Sequence, residues 1–517
     1  MKISIKKAKK MLRIVFGRTG MVVLSLLLQV AVLFGVFHFL GEYMVYIYGS
    51  FTLLSVAVMI HILNEKSDPS FKLVWIIPVL IFPVFGACFY LFVQLQIGTK
   101  FIAKRLEIVI KETDPFLEQN EEVIENLKKE SLHMTRLANY MNQRGGYPIY
   151  QNTEVTYFPL GEDKFEEMKK QLKAAKKFIF LEYFIVERGI MWNSILEILE
   201  EKVKEGVEVR FLYDGMCCMI LLPYSYPEKM KEKGIKCKMF SPIKPALSTY
   251  QNNRDHRKIL VIDGHTAFTG GVNLADEYIN KVERFGHWKD TAIMLKGDAV
   301  KSFTFMFLQM WNINEREKEN YSQYLLPPAL EQKGELGFVM PYGDSPMDKE
   351  SVGELVYMDI LDTAKRYVHI MTPYLILDSQ MIRALSYAAK SGVETVIIMP
   401  HIPDKIFAYL LARTYYQELL EAGVKIYEYT PGFVHAKVFV SDDEKAVVGT
   451  INLDFRSLYL HFECAGMIYK NPEVKKIEED FQNTLLKCQE ITIEECKKYP
   501  FYKKWVGKVL RLFAPLM

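Results

Sequence analysis

The chain has 517 residues, of which 50% are hydrophobic and 25% are charged, so several packed units are expected and a disordered chain is excluded. Its 65 basic and 62 acidic residues leave a formal net charge of +3, which gives no global signature of a nucleic-acid-binding protein. The seven cysteines lack the paired spacing typical of a zinc site or a redox dithiol, so neither a disulfide framework nor a structural metal is expected.

Residues 1–95 have the composition of a membrane anchor. Three uncharged runs of 22, 21 and 23 residues are each long enough to cross a bilayer, namely Thr19–Leu40, Tyr43–Leu63 and Leu73–Leu95. We therefore expect three transmembrane helices. The third run contains two prolines and a glycine, which leave a buried hairpin in a soluble core as its alternative.

The membrane face of the remaining chain is open to two interpretations. Residues 1–20 carry seven basic and no acidic residues, which predicts that this end stays in the cytoplasm, and three crossings would then place the rest outside. The six cysteines beyond residue 95, and the basic residues that follow the third run, favour the cytoplasm instead.

Residues 96–146 carry many charges of both signs and predict a solvated helical linker. From Tyr147 onward, short β-rich runs alternate with amphipathic segments, which predicts an α/β sandwich. Ala175–Leu181 is echoed 189 positions later by Ala364–Ile370, and two further helix-to-strand junctions recur at nearly the same offset. Because only two copies of about 180 residues are found, the pattern indicates a duplicated domain and not a solenoid.

The repeat predicts two like α/β/α sandwich domains related by a pseudo-twofold axis, at residues 147–330 and 331–498. The last segment, residues 499–517, alternates lysine and arginine with aromatic and aliphatic residues. This composition is typical of an amphipathic helix on an anionic lipid surface, and a helix docked on the domain is the alternative.

Each copy contains the same polar residues at the same spacing. Lysine, aspartate, glycine and asparagine follow a histidine at positions +2, +7, +14 and +17. The two sets are His256, Lys258, Asp263, Gly270 and Asn273 in the first copy, and His435, Lys437, Asp442, Gly449 and Asn452 in the second. Apolar residues after each lysine predict buried strands at 259–262 and 438–440, and Asp263-Gly264 predicts a hairpin turn.

This spacing favours phosphodiester chemistry. Residues i and i+2 of a strand point to the same face, so each histidine projects beside its lysine. A pseudo-twofold axis would bring two imidazoles, two ammonium groups and two asparagine amides around one pocket. One imidazole can attack phosphorus while the other protonates the leaving alkoxide, and the lysines and amides neutralise the non-ester oxygens. Such a site needs no metal and no other cofactor.

The doubled motif resembles the phospholipase D superfamily, whose members transfer phosphodiester groups through a phosphohistidine intermediate. The similarity is closer to the bacterial cardiolipin synthases and extends from about residue 44 to the C-terminus. It rests on four segments, Asn253–Lys258, His287–Thr291, Thr372–Tyr374 and Gly449–Ser457.

The resemblance implies a condensation of two phosphatidylglycerol molecules, in which one donates its phosphatidyl group to the other and glycerol is released. His256 would be the nucleophile and His435 the general acid, although the near-symmetry of the residues leaves this order open. The histidines would be oriented by acids further along the chain, Asp290 and Glu463.

The remaining motif residues take supporting roles by the same resemblance. Lys258 and Lys437 belong to the catalytic set, and Asn273 and Asn452 would bind the substrate phosphate. The motif also places two aspartates in the catalytic set, although they look more structural than catalytic, namely Asp263 and Asp442.

The resemblance also implies a multi-pass enzyme of the bacterial cytoplasmic membrane that acts on phosphatidylglycerol among anionic lipids. A phospholipase that admits water, or a transferase that uses serine or another alcohol, is the alternative within the same fold. A nuclease of the superfamily would need a broad basic groove, which the near-zero net charge argues against, so no nucleic-acid partner is expected. The oligomeric state stays open.

A few positions depart from the family pattern. His461 replaces a common asparagine, Cys217 replaces a glycine, and Gly271 stands where the second copy has Thr450. These differences concern specificity and not the reaction type. Glu182, at the end of a strand in the first copy, either touches the pocket or is an exposed carboxylate.

Overall fold

The computed structural model describes residues 27, 30–31, 34–35, 44–94, 97–241, 253–315, 317–325, 336–348 and 350–516. The described residues fall into two compact units. The first contains the chain up to Phe101, together with Ser241 and Asn253, and the second contains the rest. The first predicted span, Thr19–Leu40, and the basic N-terminal segment lie almost wholly outside the described residues.

The first unit is helical. Its helices are α1 (Met44–Asn64), α2 (Pro69–Ile81), α3 (Pro83–Gln94) and the start of α4 (Ile97–Thr113). Asp68 caps α2 by accepting a hydrogen bond of 2.7 Å from the Ser70 amide. Apolar side chains pack the first three helices together, namely Val58, Ile62, Val79, Ala87 and Tyr90.

The third predicted span is not a single helix. The run 73–95 breaks at Phe82, because Pro83 has no N–H to donate and pushes the residue before it out of the helical region. A Cβ atom added at Gly86 would lie 2.5 Å from the Pro78 carbonyl oxygen. Eight residues of a straight helix rise about 12 Å, so α2 and α3 form a helical hairpin instead of one straight span.

The predicted membrane topology is supported only in part by the described residues. Among the described residues, one helical stretch is long and apolar enough to cross a bilayer, and it runs from Phe85 to Phe116 across the undescribed residues 95–96. The helices at 49–64 and 69–81 are apolar but short. Three spans and a multi-pass topology are therefore not supported.

The second unit begins with the rest of α4 and the helices α5 (Glu121–Glu130) and α6 (Leu132–Tyr140). A seven-stranded sheet follows, with the strand order β1-β9-β7-β6-β2-β3-β4. Its strands are β1 (Thr153–Phe158), β2 (Phe178–Tyr183), β3 (Glu208–Asp214), β4 (Lys236–Phe240), β6 (Lys258–Ile262), β7 (Thr266–Gly270) and β9 (Ala292–Gly297). Its helices are α7 (Gly161–Ala174), α8 (Ile190–Lys204), α9 (Tyr226–Glu232) and α10 (Val300–Asn312).

A second sheet follows in the order β10-β17-β16-β15-β11-β12-β13-β18. Its strands are β10 (Phe338–Asp344), β11 (Tyr367–Met371), β12 (Glu394–Pro400), β13 (Lys425–Tyr429), β15 (Val438–Ser441), β16 (Lys445–Gly449), β17 (His461–Tyr469) and β18 (Cys488–Ile491). The helices of this half are α11 (Val352–Thr363), α12 (Ser379–Lys390), α13 (Ile406–Glu421), α14 (Phe455–Tyr459), α15 (Glu473–Leu485) and α16 (Ile493–Lys498).

The two sheets confirm the internal repeat. The first seven strands of the second sheet follow the order of the first sheet, each replaced by its counterpart in the second copy. In particular, β2 and β11 carry the segments that the sequence comparison matched, and each lies parallel to the next strand of its half. The predicted buried strands after each lysine are also confirmed, as β6 and β15.

Two short strand pairs join the halves. From the first half, β5 (Arg254–Asp255) lies parallel to the start of β17, and β8 (His287–Lys289) lies parallel to β14 (Gly432–Val434) of the second half. Each motif histidine follows directly after one of these strands. These strand pairs therefore place the histidine of each half beside the backbone of the other half.

The C-terminal helix α17 (Phe501–Arg511) is docked on α13. A Cβ atom added at Gly507 would lie 2.6 Å from the Leu410 carbonyl oxygen, so a glycine is needed for this close approach. Arg511 forms an ion pair of 3.4 Å with Glu418 of α13. The side of the helix away from α13 exposes Phe501 and Trp505 at 81% and 59%.

Candidate active site

The two motif histidines are held by matching backbone contacts across the halves. The His256 amide donates to the Phe462 carbonyl at 2.9 Å, and the His435 amide donates to the Lys289 carbonyl at 2.7 Å. In each case the accepting residue stands immediately before one of the predicted orienting acids. The backbone pairing therefore sets the distance between each histidine and the acid of the opposite half.

Each histidine is hydrogen-bonded to the acid of the other half. His256 Nδ1 lies 2.8 and 2.9 Å from the two carboxylate oxygens of Glu463, and His435 Nδ1 lies 2.6 Å from Asp290 Oδ2. All four side chains are buried. A carboxylate on Nδ1 fixes that nitrogen as the protonated one and leaves Nε2 with its lone pair for chemistry.

The two lysines lie next to their histidines. Lys258 Nζ donates to the His256 carbonyl at 2.6 Å, and Lys437 Nζ lies 3.0 Å from His435 Nδ1 and also donates to the His435 carbonyl. Charge repulsion between Lys258 and Lys437 contributes to the pKa of Lys437, and both ammonium groups are attracted by Asp290 and Glu463. The two copies of the motif therefore meet around one site.

Burial decides the protonation states of the bases. It lowers the pKa of Lys258 to about 8, and burial with repulsion from Lys258 lowers the pKa of Lys437 to about 7. Burial and the neighbouring Lys437 lower the pKa of His435 to about 4, and burial lowers the pKa of His256 well below its usual value. Both imidazoles are therefore neutral at pH 7 in the free protein.

Glu463 is held as a carboxylate. Burial would raise its pKa, but attraction to His256, the hydrogen bond from His256 and the nearby Lys258 lower that pKa well below its usual range. The Thr450 hydroxyl also donates to Glu463. Thr450 therefore serves the orienting acid in this structure, and does not stand free for a phosphate.

Gly271 lacks the hydroxyl that Thr450 provides at the matching position of the second half, and the reason is steric. A Cβ atom added there would lie 2.0 Å from Asp290 Oδ1, which is closer than any real contact. Only glycine leaves Asp290 room to reach His435. The difference between Gly271 and Thr450 is therefore a consequence of how each acid approaches its histidine.

The motif aspartates bond to the backbone of a neighbouring strand, which favours the structural role, and a catalytic role for them stays a prediction. Asp263 accepts hydrogen bonds from the backbone amides of residues 176, 177 and 178 at 2.8, 2.7 and 2.9 Å. Asp442 accepts the same three bonds from residues 365, 366 and 367, at 2.8, 2.8 and 3.1 Å. Both carboxylates thus fix the start of a central strand, and among the described residues neither bonds to a motif histidine or lysine.

The predicted hairpin turn after β6 is confirmed. Asp263 and Gly264 have φ values of 52° and 68°, and this succession of left-handed residues is what a tight hairpin between β6 and β7 requires. Asp442 has a φ of 58° at the matching place in the second half. Aspartate is one of the few non-glycine residues that tolerates this region.

The two motif asparagines are engaged within the protein. Asn273 accepts a bond of 3.0 Å from the Ile185 amide and donates one of 2.8 Å to the Tyr278 hydroxyl. Asn452 donates to the Ser457 hydroxyl at 3.0 Å, while its buried Oδ1 has no hydrogen-bond partner among the described residues. Phosphate binding by these amides stays a prediction.

Aromatic rings flank both histidines, and the sequence analysis had singled out only one of these rings. Phe184 lies edge-on to His256, with ring centroids 4.5 Å apart, and Tyr278 and Trp288 each lie 5.4 Å from the His435 ring. Trp288 stood in a quoted motif, but Phe184 had no signal beyond its position at the end of β2. These rings contribute to the burial that lowers the pKa values of both histidines.

A third imidazole belongs to the same site. His461 is 8% exposed, its ring centroid lies 5.5 Å from that of His256, and its Nδ1 lies 3.8 Å from Glu463 Oε1. His256, His461 and Glu463 place possible ligand atoms within 4.8 Å of one another, so they could hold a metal ion. An ion there would compete with the bond between His256 and Glu463.

Glu182 is completely buried, so the alternative of an exposed carboxylate is wrong. Its Oε1 lies 3.9 Å from Arg257 Nη1. Burial and the neighbouring Asp255 carboxylate raise the pKa of Glu182 well above its usual value, against the attraction of Arg257. Its carboxyl group therefore belongs to a buried cluster next to the motif strand.

Comparison with known proteins identifies the family of this chain. A family model described as cardiolipin synthase, phospholipase D-like domain, matches residues 168–311 and 357–485, and one described as phospholipase D-nuclease N-terminal matches residues 53–94. A cardiolipin synthase of Alkalihalophilus pseudofirmus is 36% identical over 90% of this chain and 93% of its own. The chain belongs to the cardiolipin synthase family. It is a phosphatidyltransferase of the phospholipase D superfamily.

Two further similarities extend this family assignment. An uncharacterized protein of Streptococcus mutans is 50% identical over 89% of this chain and over its own full length. The crystal structure of phosphatidylserine synthase from Haemophilus influenzae aligns with a TM-score of 0.56, at 15% identity, over 74% of this chain and 98% of that one. At that identity the likeness supports the two-domain α/β fold of the family and nothing finer.

Proposed function

We propose that the protein is a cardiolipin synthase, which joins two phosphatidylglycerol molecules into cardiolipin and releases glycerol. The observation that carries the proposal is the crossed pairing of each buried histidine with the acid of the other half, beside two lysines. Relatives with the name cardiolipin synthase, at 34–36% identity over about 90% of the chain, supply the substrate class.

In the first step the Nε2 lone pair of His256 attacks the phosphorus of the donor phosphatidylglycerol. The bond between phosphorus and the glycerol oxygen breaks, and His435 gives that oxygen a proton so that glycerol leaves. Lys258 and Lys437 neutralise the non-ester oxygens, and Glu463 stabilises the positive charge on the phosphorylated imidazole.

Because His435 is neutral in the free protein, it must gain its proton when the anionic lipid binds. The negative phosphodiester raises the pKa of a neighbouring imidazole, and Asp290 on Nδ1 assists in the same direction. The site therefore becomes an acid–base pair only with substrate present.

In the second step the free hydroxyl of the acceptor phosphatidylglycerol attacks the phosphohistidine. His435 now takes the hydroxyl proton, the bond between nitrogen and phosphorus breaks, and the new ester is cardiolipin. We propose that the helical first unit and the exposed aromatic side of α17 hold the enzyme at the anionic membrane surface, where both lipids lie.

Product analysis tests the proposal. Purified protein incubated with phosphatidylglycerol should form a lipid with four acyl chains together with an equal amount of glycerol. Phosphatidic acid as the main product would instead identify a phospholipase that uses water. Phosphatidylserine, formed when serine is added, would identify a different transferase, and either outcome refutes the synthase.

Replacing His256 or His435 by alanine should lower the transfer rate at least ~10³-fold, about 4 kcal/mol in the barrier. The fold and the membrane association should persist. Mass spectrometry of the His435→Ala protein after exposure to phosphatidylglycerol should find the phosphatidyl group on His256. A phosphatidyl group on His435 in the His256→Ala protein, and not the reverse, would exchange the two roles.

A further inference from the structure

Arg254 lies in β5, the short strand that ends directly before His256. It precedes His256 by two positions, so the two side chains leave the strand on the same face, about 6.6 Å apart along the chain. In the register of β5 and β17 its partner is His461, the third imidazole of the site. Lys258 lies on the other side of His256, two positions further on.

Two of the three guanidinium nitrogens of Arg254, Nη1 and Nη2, have no acceptor among the described residues. Its side chain is 4% exposed, and no described residue accepts a hydrogen bond from Nη1 or Nη2. The nearest carboxylate oxygen, Asp214 Oδ1, is 3.8 Å away, which is too far for a hydrogen bond. A buried cation without acceptors is costly unless a ligand supplies them.

A second guanidinium lies near the first. Arg456 lies at the start of α14, after the motif residue Asn452. Burial and repulsion by the charge of Arg254 lower its pKa, against the attraction of Asp454. Arg456 donates one hydrogen bond, of 3.1 Å, to the Leu516 carbonyl. Two like charges close together are stabilised when an anion bridges them.

The carboxylates near this pair also accept hydrogen bonds from the backbone. Asp214 accepts hydrogen bonds from the amides of Met216 and Cys217, at 3.0 and 2.9 Å, and from that of Asp255 at 3.3 Å. Asp454 caps α14 by accepting from the Ser457 amide at 2.8 Å. These two carboxylates reduce the net charge around the two arginines. Their hydrogen-bonded oxygens accept from backbone amides and not from the guanidinium N–H groups.

We propose that Arg254 and Arg456 form a second anion site, which binds the phosphodiester of the acceptor phospholipid. This inference rests on the proposed synthase function. The donor phosphorus must lie between His256 and His435, where the lysines are, so an anion at Arg254 is displaced from the reaction centre by one strand step. In phosphatidylglycerol a three-carbon bridge separates the phosphate from the reacting hydroxyl, which is a comparable distance. Two non-ester oxygens also suit the forked donors of arginine.

The test compares two acceptors on the full-length enzyme. Phosphatidylglycerol carries a phosphate as acceptor, whereas free glycerol does not, and labelled glycerol exchanged into phosphatidylglycerol reports transfer without an acceptor phosphate. For Arg254→Gln we expect cardiolipin formation to fall about 10- to 100-fold, as for loss of charge-assisted hydrogen bonds, while glycerol exchange falls far less. Arg254→Lys keeps the positive charge but loses the paired N–H donors of the guanidinium, so its rate of cardiolipin formation should lie between those of the wild type and Arg254→Gln.

Controls separate a binding role from a folding role. Arg413→Gln removes another largely buried arginine, one that is paired with Glu428 at 3.0 Å, and should leave the ratio of the two reactions at its wild-type value. If Arg254→Gln shows no cooperative thermal transition, the same ratio in Arg456→Gln decides, since that side chain is only partly buried.

Each outcome bears on one proposal. An equal loss of both reactions, or no loss of either, in a folded variant overturns the acceptor site. A wild-type enzyme that exchanges glycerol but makes no cardiolipin overturns the synthase function itself. The two failures are therefore distinguishable.

Discussion

Replacing Glu463 by glutamine should separate the charge of the orienting acid from its shape. The carboxylate oxygens lie 2.8 and 2.9 Å from His256 Nδ1, and phosphorylation of Nε2 would place a positive charge on this ring. An amide keeps one acceptor for the Nδ1 proton but removes the negative charge. The perturbation therefore acts on the transition state more than on the resting site.

The magnitude follows from the distance between the charges. A carboxylate and an imidazolium about 4 Å apart attract by about 4 kcal/mol at an effective dielectric of about 20. The retained hydrogen bond offsets part of that, so a loss of about 2 to 4 kcal/mol is expected, or about 30- to 1,000-fold in kcat. The assay is the initial rate of cardiolipin formation in mixed micelles with saturating phosphatidylglycerol.

The matched variant is Asp290→Asn, which removes the same charge from His435. If His256 is the nucleophile, Glu463→Gln should reduce the amount of trapped phosphatidyl-enzyme, whereas Asp290→Asn should slow proton transfer in both steps and change that amount less. Thermal unfolding of both variants checks that the protein is folded. Turnover of a folded Glu463→Gln protein within about threefold of the wild type would refute a charge-stabilised imidazole.

Other expectations follow from the same site. Because burial lowers the pKa of Lys258 to about 8 and of Lys437 to about 7, kcat/KM should fall as pH rises through this range and the phosphate loses its cations. The free energy of unfolding should rise over the same pH window, because lysines in the unfolded chain keep their protons up to about pH 10.5 and the unfolded state therefore binds more protons than the folded state. A free energy of unfolding that does not change with pH would contradict the burial argument. Asp263→Asn should lower the free energy of unfolding by about 1–3 kcal/mol, measured by denaturant titration, and leave kcat of the folded protein unchanged, whereas a loss of kcat would return this residue to the catalytic set. Chelator should not reduce turnover, whereas added Zn²⁺ should inhibit by binding near His256, and His461→Asn should be less sensitive; equal inhibition of both proteins would argue against that ligand set.

The sequence by itself determined the duplicated α/β fold and singled out the candidate catalytic residues. The repeat offset of 189 positions identified β2 and β11 as equivalent, and the strict spacing after each histidine located both motifs. These features are local, since strand periodicity and turn residues depend on neighbours in the chain. The resemblance then pointed to Asp290 and Glu463, the two acids that bond to the histidines, which no spacing rule within a strand could have identified.

The tertiary structure decided which residues act on which. Sequence order places Glu463 after His435 and Asp290 after His256, yet each acid bonds to the histidine of the other half. That exchange arises because β5 pairs with β17 and β8 pairs with β14, a long-range register that no local pattern records. For the same reason the contacts of Gly271, Thr450 and Arg254 could be identified only in the folded structure, where residues distant in sequence meet. Hydropathy alone could not reveal that the third apolar run is broken into two helices at Pro83.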